Sequence, residues 1–358
     1  MPLSIKRRKT RQIHVGSVPV GADAPIAVQS MTNTPTADTD ATVSQIRRLE
    51  AAGCEIIRVA VPDPEAARAI AVIQKQIQIP LIADIHFDHR LAVAAADAGA
   101  DGLRINPGNI GAKKKVREVV RAARGHGIAI RIGVNSGSLD RDLREKYGVP
   151  EARALVESAL RQIADLADMD FHEIKVAIKS SDVLQTIEAY RLLSRETDVP
   201  LHVGITEAGG LYSGIVKSAV GIGAVLLDGI GDTLRVSLTR DPAEEVRVGY
   251  EILKALDIRR RGPEIISCPT CGRCRIDLFS IAETVEKALL TSRSPIRVAI
   301  MGCSVNGPGE ARQADVGVAG GDGTGVLFKK GQVIRKFPEN RLAEELLAAI
   351  EEMEKESG

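Results

Sequence analysis

Aromatic side chains are scarce in this sequence. Phe, Tyr and Trp make up 3% of its 358 residues, and Trp is absent. Proteins that hold single-stranded nucleic acid by base stacking need aromatic platforms, so the composition weighs against that class. An excess of charge is lacking too, because 48 basic and 47 acidic residues leave a net charge of +1. Without an overall attraction to a polyanion, we expect no nucleic-acid partner.

A targeting signal is also missing from the N-terminus. The stretch MPLSIKRRKTRQIHVG is basic but has no apolar core, and nothing near it could span a membrane. We therefore expect a cytoplasmic protein with no membrane partner. The chain has only five cysteines. In a reducing compartment, cysteines are more often metal ligands or catalytic groups than disulfides.

The first three quarters of the chain alternate short β-branched runs with longer amphipathic runs. Helix signals lie between the short runs, such as Asp63 as a cap before Pro64 at the first helical position. Eight strands alternating with helices over about 250 residues predict an α/β fold, a (β/α)8 TIM barrel, with a doubly wound open sheet as the alternative. The predicted strands are residues 26–30, 55–61, 80–86, 101–106, 128–134, 173–179, 201–206 and 224–229.

The last quarter of the chain has a different pattern. An Arg/Gly/Pro stretch near residues 258–264 is typical of a linker. Beyond it come a cysteine cluster, the helical run DLFSIAETVEKALLT, the strand IRVAIMGCSV, a hairpin with Lys330 and Gly331 at its turn, and a helix from Glu339. We therefore predict a barrel domain at residues 1–260 and a small α+β domain at residues 261–358.

Basic residues interrupt the apolar strands of the predicted barrel. Cations are costly to bury without a counter-charge, and the active sites of TIM barrels lie at the carboxyl ends of the strands. The excess of cations predicts a cavity for an anion with several negative charges, such as a diphosphate. An internal salt-bridge network that only stabilises the barrel is the alternative. The cations are Arg58, Arg104, Arg131, Lys175 and Lys179, and the nearby acids are Asp84 and Glu207.

Three cysteines, Cys268, Cys271 and Cys274, are each separated by two residues. This CxxCxxC pattern lacks the second CxxC pair of a zinc site and the fourth cysteine of a bacterial ferredoxin run. The stretch MGCSVNGPGE adds Cys303, with Glu310 seven residues later. Thiolates suit an iron–sulfur cluster, and a carboxylate on one iron would leave a weaker, exchangeable position for substrate.

Six motifs, in order along the chain, resemble those of the bacterial 4-hydroxy-3-methylbut-2-enyl diphosphate synthases, iron–sulfur enzymes of the methylerythritol phosphate route to isoprenoids. The motifs are VQSMTNT, ADIHFD, GLRINPGNIG, ITEAGG, SCPTCGR and GCSVNGPGE. The resemblance covers nearly the whole chain and implies the two-domain bacterial form, a TIM barrel followed by a domain with a 4Fe–4S cluster.

The resemblance also implies an activity and partners. The substrate would be 2-C-methyl-D-erythritol 2,4-cyclodiphosphate, whose ring is opened with loss of water and uptake of two electrons. Reduced flavodoxin or ferredoxin would donate the electrons. Members of the family are homodimers in which the cluster domain of one chain closes over the barrel of the other.

Roles for single residues are implied in the same way. Glu207 would act as an acid or orienting group, Asn306 would contact substrate, and the iron that bears Glu310 would bind it, so these three are the implied catalytic residues. The implied cluster ligands are Cys268, Cys271, Cys303 and Glu310. The implied substrate-binding residues are Arg58, Arg104, Arg131, Asn135, Lys179, Arg235, Ser237 and His86.

Two cysteines stay outside this set. Cys274 occupies a position that is usually not cysteine in the family, so we interpret it as a non-ligand. The alternative is that it replaces Glu310 in an all-thiolate cluster suited to electron transfer. Cys54 precedes the second strand, at the end of a barrel that carries no chemistry, and is interpreted as a small buried hydrophobe.

Two other function classes stay open on the sequence. One is a pterin-type barrel synthase or transferase with a structural metal site. The other is an iron–sulfur sensor or scaffold without enzymatic activity. The first predicts zinc in the protein, and the second predicts a cluster but no diphosphate binding. The joint presence of a cationic barrel and a cysteine set disfavours both.

Overall fold

The computed structural model describes residues 5–357 except for residues 136, 138, 140, 149–150, 273, 291, 304–310 and 322. Two compact units divide the chain, Met1–Arg259 and Arg260–Gly358. No helix within these described ranges is long and apolar enough to cross a membrane.

The first unit begins with a short antiparallel hairpin, β1 (Ile13–Val15) and β2 (Val18–Val20). An eight-stranded parallel sheet follows: β3 (Ala27–Met31), β4 (Ile56–Ala60), β5 (Leu81–Asp84), β6 (Gly102–Ile105), β7 (Ala129–Asn135), β8 (Ile174–Lys179), β9 (His202–Val203) and β10 (Thr233–Leu234). Its strand order is β8-β7-β6-β5-β4-β3-β10-β9. A parallel bridge between Val176 and Leu201 joins β8 to the start of β9, so the sheet closes on itself. The predicted TIM barrel is confirmed.

Helices connect the barrel strands. They are α1 (Thr39–Ala52), α2 (Pro64–Ile73), α3 (His89–Asp97), α4 (Pro107–Ile110), α5 (Lys113–His126), α6 (Arg141–Tyr147), α7 (Ala152–Ala167), α8 (Val183–Glu196), α9 (Leu211–Leu227) and α10 (Pro242–Ala255). The predicted start of α2 is confirmed, because the Asp63 side chain accepts a hydrogen bond from the Ala66 amide and Pro64 occupies the first turn.

The predicted eighth strand at residues 224–229 is wrong. Its apolar run forms the last turn of α9, whose buried residues include Ser218, Ile222 and Val225 at three- and four-residue spacing. The true eighth strand is β10, which pairs with β3 and β9. A short apolar run fits a buried strand and a buried helix equally well, and the run was too short for its period to decide.

The N-terminal hairpin was not predicted from the sequence. Ile13, Val15 and Val20 form one buried cluster with residues at the amino-terminal part of the barrel strands, among them Ile56 and Ile82. The hairpin therefore covers the amino-terminal end of the barrel, opposite the end where TIM barrels carry their chemistry.

The second unit is an α+β domain, as predicted. Its sheet runs in chain order through β11 (Glu264–Ser267), β12 (Arg297–Met301), β13 (Val316–Gly321), β14 (Thr324–Lys329) and β15 (Gln332–Pro338). The first three strands are parallel, and the later pairs are antiparallel. Helices α11 (Leu278–Leu289) and α12 (Leu342–Ser357) pack their apolar faces on this sheet. Lys330 and Gly331, both with positive φ, form the predicted hairpin turn.

Candidate active site

Four polar side chains occupy one level of the barrel interior. The parallel register pairs Asp84 with Arg104, Arg104 with Arg131, and Arg131 with Lys175. Alternate residues of a strand face the same side of a sheet, so these neighbours share a face. All four side chains are buried. The structure thus brings together three of the cations that the sequence singled out.

Asp84 is the counter-charge for two of the barrel cations. Its Oδ1 lies 2.9 Å from Nη1 of Arg104, and its Oδ2 lies 3.3 Å from Nε of Arg58. His86 Nε2 is 3.1 Å from the same Nη1 of Arg104. Burial alone would raise the pKa of Asp84, but Arg58, the His86 ring and Arg104 together hold that pKa well below its usual range. The carboxyl group therefore stays ionised and fixes both guanidinium groups.

Arg131 and Lys175 have donors without acceptors among the described residues. Nε and Nη1 of Arg131 and Nζ of Lys175 are buried and have no hydrogen-bond partner there. Burial, followed by repulsion from neighbouring arginines, lowers the pKa of both side chains well below their ordinary values. The same causes lower the pKa of buried Lys179. A salt-bridge network accounts for Arg58 and for Nη1 of Arg104 but leaves these donors unexplained, which favours an anion-binding cavity.

The buried carboxylate of Glu245 on α10 holds Arg235. Nε and Nη2 of Arg235 lie 3.2 Å from Oε2 of Glu245, and the Leu238 amide donates to Oε1 at 2.9 Å. Arg235 directly follows β10, so it lies at the carboxyl end of the barrel as predicted. Glu245 was missed because an acidic residue in the first turn of a helix normally indicates a solvated cap.

The remaining predicted barrel residues also lie at carboxyl ends of strands. Asn135 ends β7 and is opposite Lys179 in the register of β8. His86 follows β5 and is exposed, and half-buried Ser237 follows β10. Glu207 follows β9, is exposed, and has a left-handed backbone with φ of 52°. Such a φ is uncommon for a residue other than glycine and is found often at functional loops.

His202 is a buried interior residue that was not predicted as a site residue. Its Nδ1 lies 2.8 Å from Oγ1 of Thr233, and its Nε2 has no partner among the described residues. Burial and the nearby cations lower the pKa of His202 well below 6.5, so the ring is neutral. A histidine inside the apolar run LHVGIT was the available signal, because alternation in a barrel strand turns every second side chain inward.

Three cysteines predicted as cluster ligands follow two neighbouring strands of the second unit. The amide of Cys268 donates to the carbonyl of Ile300 at 3.0 Å, which continues the parallel pairing of β11 with β12. Cys303 lies two residues beyond the end of β12, so Cys268 and Cys303 are at the same edge of the sheet. Cys271 is exposed in the loop after β11. Thiolates at one sheet edge are the chemistry that an iron–sulfur cluster requires.

The described residues do not by themselves complete a metal site. Within them, no three His, Cys, Asp or Glu side chains form a group that could hold a metal ion. Two predicted site residues, Asn306 and Glu310, lie outside the described ranges. The ligand set therefore stays a prediction supported by donor chemistry and by the shared sheet edge.

Cys274 packs against the chain next to Cys303. Its Sγ donates to the carbonyl of Ile276 at 3.4 Å, and a Cβ built on Gly302 would lie 2.6 Å from that sulfur. The side chain also joins the apolar cluster beneath the sheet. Cys268, a predicted ligand, packs against the same cluster, so the interpretation of Cys274 as a non-ligand stays a prediction.

Cys54 is buried in the barrel core, as expected. It is 3% exposed, and its Sγ donates to the carbonyl of Ile56 at 3.1 Å. Burial raises the pKa of its thiol to about 12, which makes it a poor nucleophile at neutral pH.

Comparison with known proteins covers both units. Residues 10–250 match the GcpE TIM-barrel domain, and residues 264–352 match the GcpE protein C-terminal domain. The 4-hydroxy-3-methylbut-2-en-1-yl diphosphate synthase (flavodoxin) of Desulfotalea psychrophila is 58% identical over 355 residues, which are 98% of either chain. The synthase of the same name from Geobacter sulfurreducens is 58% identical over 347 residues, 97% of this chain and 98% of that protein.

Solved structures add the likeness of the fold. The dihydropteroate synthases of Yersinia pestis and Stenotrophomonas maltophilia each cover 69% of this chain and 98% of their own, with TM-scores of 0.51. Their identities of 11% and 18% show a shared fold alone. The two domain matches, with relatives that are 58% identical over almost the full length, show that the chain belongs to the GcpE family.

Proposed function

We propose that the chain is a 4-hydroxy-3-methylbut-2-en-1-yl diphosphate synthase. It converts 2-C-methyl-D-erythritol 2,4-cyclodiphosphate to 4-hydroxy-3-methylbut-2-enyl diphosphate and water with two electrons from flavodoxin. The observation that carries this proposal is the 58% identity, over 98% of the chain, to a synthase of that name. The excess of buried cations in the barrel supplies the physical reason for a diphosphate substrate.

The barrel residues would bind and orient the cyclic diphosphate. Arg131 and Lys179 would donate to phosphate oxygens, which for Nε and Nη1 of Arg131 supply the acceptors missing among the described residues. Arg58 and Arg104 would present further donors, and the ionised Asp84 keeps them in place. Asn135, His86, Arg235 and Ser237 complete the proposed substrate-binding set. Because the site is prepared before substrate arrives, little reorganisation is needed on binding.

Glu207 is proposed to donate a proton to a substrate hydroxyl. Loss of water requires a proton on the departing hydroxyl oxygen, and a carboxylic acid at the carboxyl end of β9 could deliver it. The left-handed backbone of Glu207 sets the direction in which its side chain leaves the loop after β9. Asn306 is proposed to contact substrate as well.

The second unit is proposed to carry the electrons. Cys268, Cys271, Cys303 and Glu310 would hold a 4Fe–4S cluster, which when bound supplies electrons one at a time. The names of the relatives favour flavodoxin over ferredoxin as the donor. We further propose that residues 1–260 bind substrate, that residues 261–358 bind the cluster, and that the enzyme is a cytoplasmic homodimer.

Activity and cluster content of two variants test this proposal. After anaerobic purification, the natural chain and Cys274→Ala are both expected to contain about four iron and four sulfide ions and to convert the cyclodiphosphate with reduced flavodoxin. Glu310→Ala should lose turnover, because the exchangeable iron loses its carboxylate. An active Glu310→Ala beside a Cys274→Ala that loses its cluster would favour the all-thiolate alternative. Zinc in place of iron would favour a structural metal site.

Proton uptake on pyrophosphate binding tests whether Lys175 responds to the bound anion. Burial lowers the pKa of this amine below its ordinary value of 10.5. The unfolded chain then binds the proton more tightly, so the contribution of Lys175 to stability rises with pH up to 10.5. A bound diphosphate reverses the pKa shift, so binding takes up a proton, and the affinity gained from Lys175 falls as pH rises.

Calorimetric titration with pyrophosphate in buffers of different ionisation enthalpy measures this uptake. Lys175→Met is expected to take up fewer protons than the natural chain at the same pH. Pyrophosphate itself exchanges the same number of protons in both titrations, so the difference in proton uptake comes from the protein. Equal proton uptake by the two proteins would show that Lys175 does not respond to the anion.

A further inference from the structure

Gly133 lies beneath the guanidinium group of Arg104. It follows Arg131 by two residues on β7, so both face the barrel interior. A Cβ built on Gly133 would lie 2.8 Å from Nε, 3.0 Å from Nη2 and 3.3 Å from Cζ of Arg104. The added Cβ would be nearer to the two nitrogens than to Cζ, so it would lie in front of the Nε–Nη2 edge of the guanidinium group. Arg104 therefore occupies space that any other residue would fill.

The backbone does not explain a glycine at this position. The φ of Gly133 is outside the left-handed region, and its strand conformation suits alanine. The three heavy atoms nearest to the added Cβ all belong to the Arg104 side chain. Gly204 differs, because a Cβ there would lie 2.5 Å from the backbone oxygen of Arg235 as well as 2.5 Å from Nζ of Lys179. At Gly133, by contrast, the atoms nearest to an added Cβ all belong to one cationic side chain, that of Arg104.

The contacts of Arg104 show what that space protects. Its Nη1 is engaged by Asp84 and His86, whereas Nε is buried without a hydrogen-bond partner among the described residues. A methyl group on Gly133 would either push Nη1 away from Asp84 or cover the edge that still has donors to offer. A guanidinium edge with two N–H groups is the geometry that chelates a phosphate.

We propose that Gly133 is a positioning residue for diphosphate binding, because its missing side chain lets Arg104 keep its bond to Asp84 and present its Nε–Nη2 edge. This inference rests on the proposed function, which places the diphosphate in the barrel. Gly133 itself touches no substrate and acts through Arg104.

A double-mutant cycle with inorganic pyrophosphate as the probe tests the inference. Pyrophosphate affinity would be measured by calorimetry for the natural chain, Gly133→Ala, Arg104→Ala and the double variant. Gly133→Ala is expected to weaken binding about tenfold, the effect of one charge-assisted hydrogen bond. In the Arg104→Ala background the same change should alter the affinity by less than about twofold, because neighbouring residues that act as a unit are not additive. Gly223→Ala on α9, where an added Cβ meets no atom within 4 Å, is the matched control and should bind as the natural chain does.

The thermal midpoint separates positioning from a structural role. Alanine at Gly133 should lower the midpoint where Arg104 is present, because the added Cβ displaces that side chain, and should leave it unchanged or raise it in the Arg104→Ala background, where alanine only restricts the unfolded chain. Equal weakening of binding by Gly133→Ala with and without Arg104 would overturn the inference, as would unchanged affinity in the single variant. If the natural chain itself did not bind pyrophosphate, the proposed diphosphate site would fail, and the role of Gly133 with it.

Discussion

Replacing Arg131 by Met is expected to weaken pyrophosphate binding about a hundredfold while making the ligand-free protein more stable. The two effects have opposite signs for one physical reason. Arg131 is 3% exposed, and its Nε and Nη1 have no acceptor among the described residues. Removing such a buried charge relieves desolvation and should raise the free energy of unfolding by about 1–3 kcal/mol. The same removal takes away donors that a diphosphate would use.

Calorimetric titration and thermal unfolding measure the two effects of Arg131→Met side by side. Arg121→Met on α5 is a suitable control, because Arg121 is an exposed arginine that is not among the proposed site residues. Both quantities should stay unchanged in that variant. If Arg131→Met instead destabilised the protein and left pyrophosphate affinity intact, the alternative of a purely structural salt-bridge network would be correct.

Asp84→Asn is expected to cause the largest loss of stability, about 3–5 kcal/mol in the free energy of unfolding. The substitution keeps the shape of the side chain but removes the charge that holds Arg58 and Arg104. Two buried guanidinium groups would then lack a compensating carboxylate. Because the folded protein lowers the pKa of Asp84, its stabilising effect is present above pH 3.8 and is lost as pH falls below that value. Asp84→Asn should therefore remove part of the acid limb of the stability curve.

Denaturant unfolding between neutral and acid pH measures this effect. Asp228→Asn is the matched control, since Asp228 pairs with Nε of Arg191 at 2.6 Å on the surface. An exposed ion pair contributes about 0–1 kcal/mol, so this variant should be nearly as stable as the natural chain. Bound pyrophosphate should restore part of the stability lost in Asp84→Asn by supplying the missing negative charge. Equal losses in the two variants would contradict the role given to Asp84.

The sequence sufficed for the barrel because its signals are local. Caps such as Asp63 and alternating strands such as β7 and β8 depend on neighbours in the chain, and the structure confirms them. The eighth strand failed because β10 has only two residues, too few for any period, while the apolar end of α9 imitated a strand. The hairpin of β1 and β2 was missed for a similar reason, since its strands have three residues each.

For the candidate site, the sequence predicts which cations enter the barrel but not how they are paired. Pairing depends on which strands become neighbours and on the direction of each side chain. Asp84 reaches Arg104 across adjacent strands, while Glu245 reaches Arg235 from a helix outside the sheet. Neither arrangement leaves a periodic pattern. The same holds for Gly133, which matters because of the Arg104 side chain on the neighbouring strand β6.

The shared barrel of dihydropteroate synthases shows why the fold alone does not decide the function. A pterin-type synthase was a reasonable alternative on the sequence, and solved enzymes of that name do share the architecture. The interior of this barrel carries paired cations and others that have no partner among the described residues, a set suited to a polyanion, and the chain extends into a second unit with four cysteines. Function is argued from these side chains rather than from the barrel.

The number of electrons consumed for each product shows whether the chain is a reductive diphosphate synthase. Anaerobically purified protein, the cyclodiphosphate and stoichiometric reduced flavodoxin would be mixed, and flavodoxin oxidation and product would be measured together. We expect 4-hydroxy-3-methylbut-2-enyl diphosphate with about two electrons consumed per molecule, and no product without reduced donor. Product formed without electron consumption, or no conversion by a protein that contains its full cluster, would contradict this function.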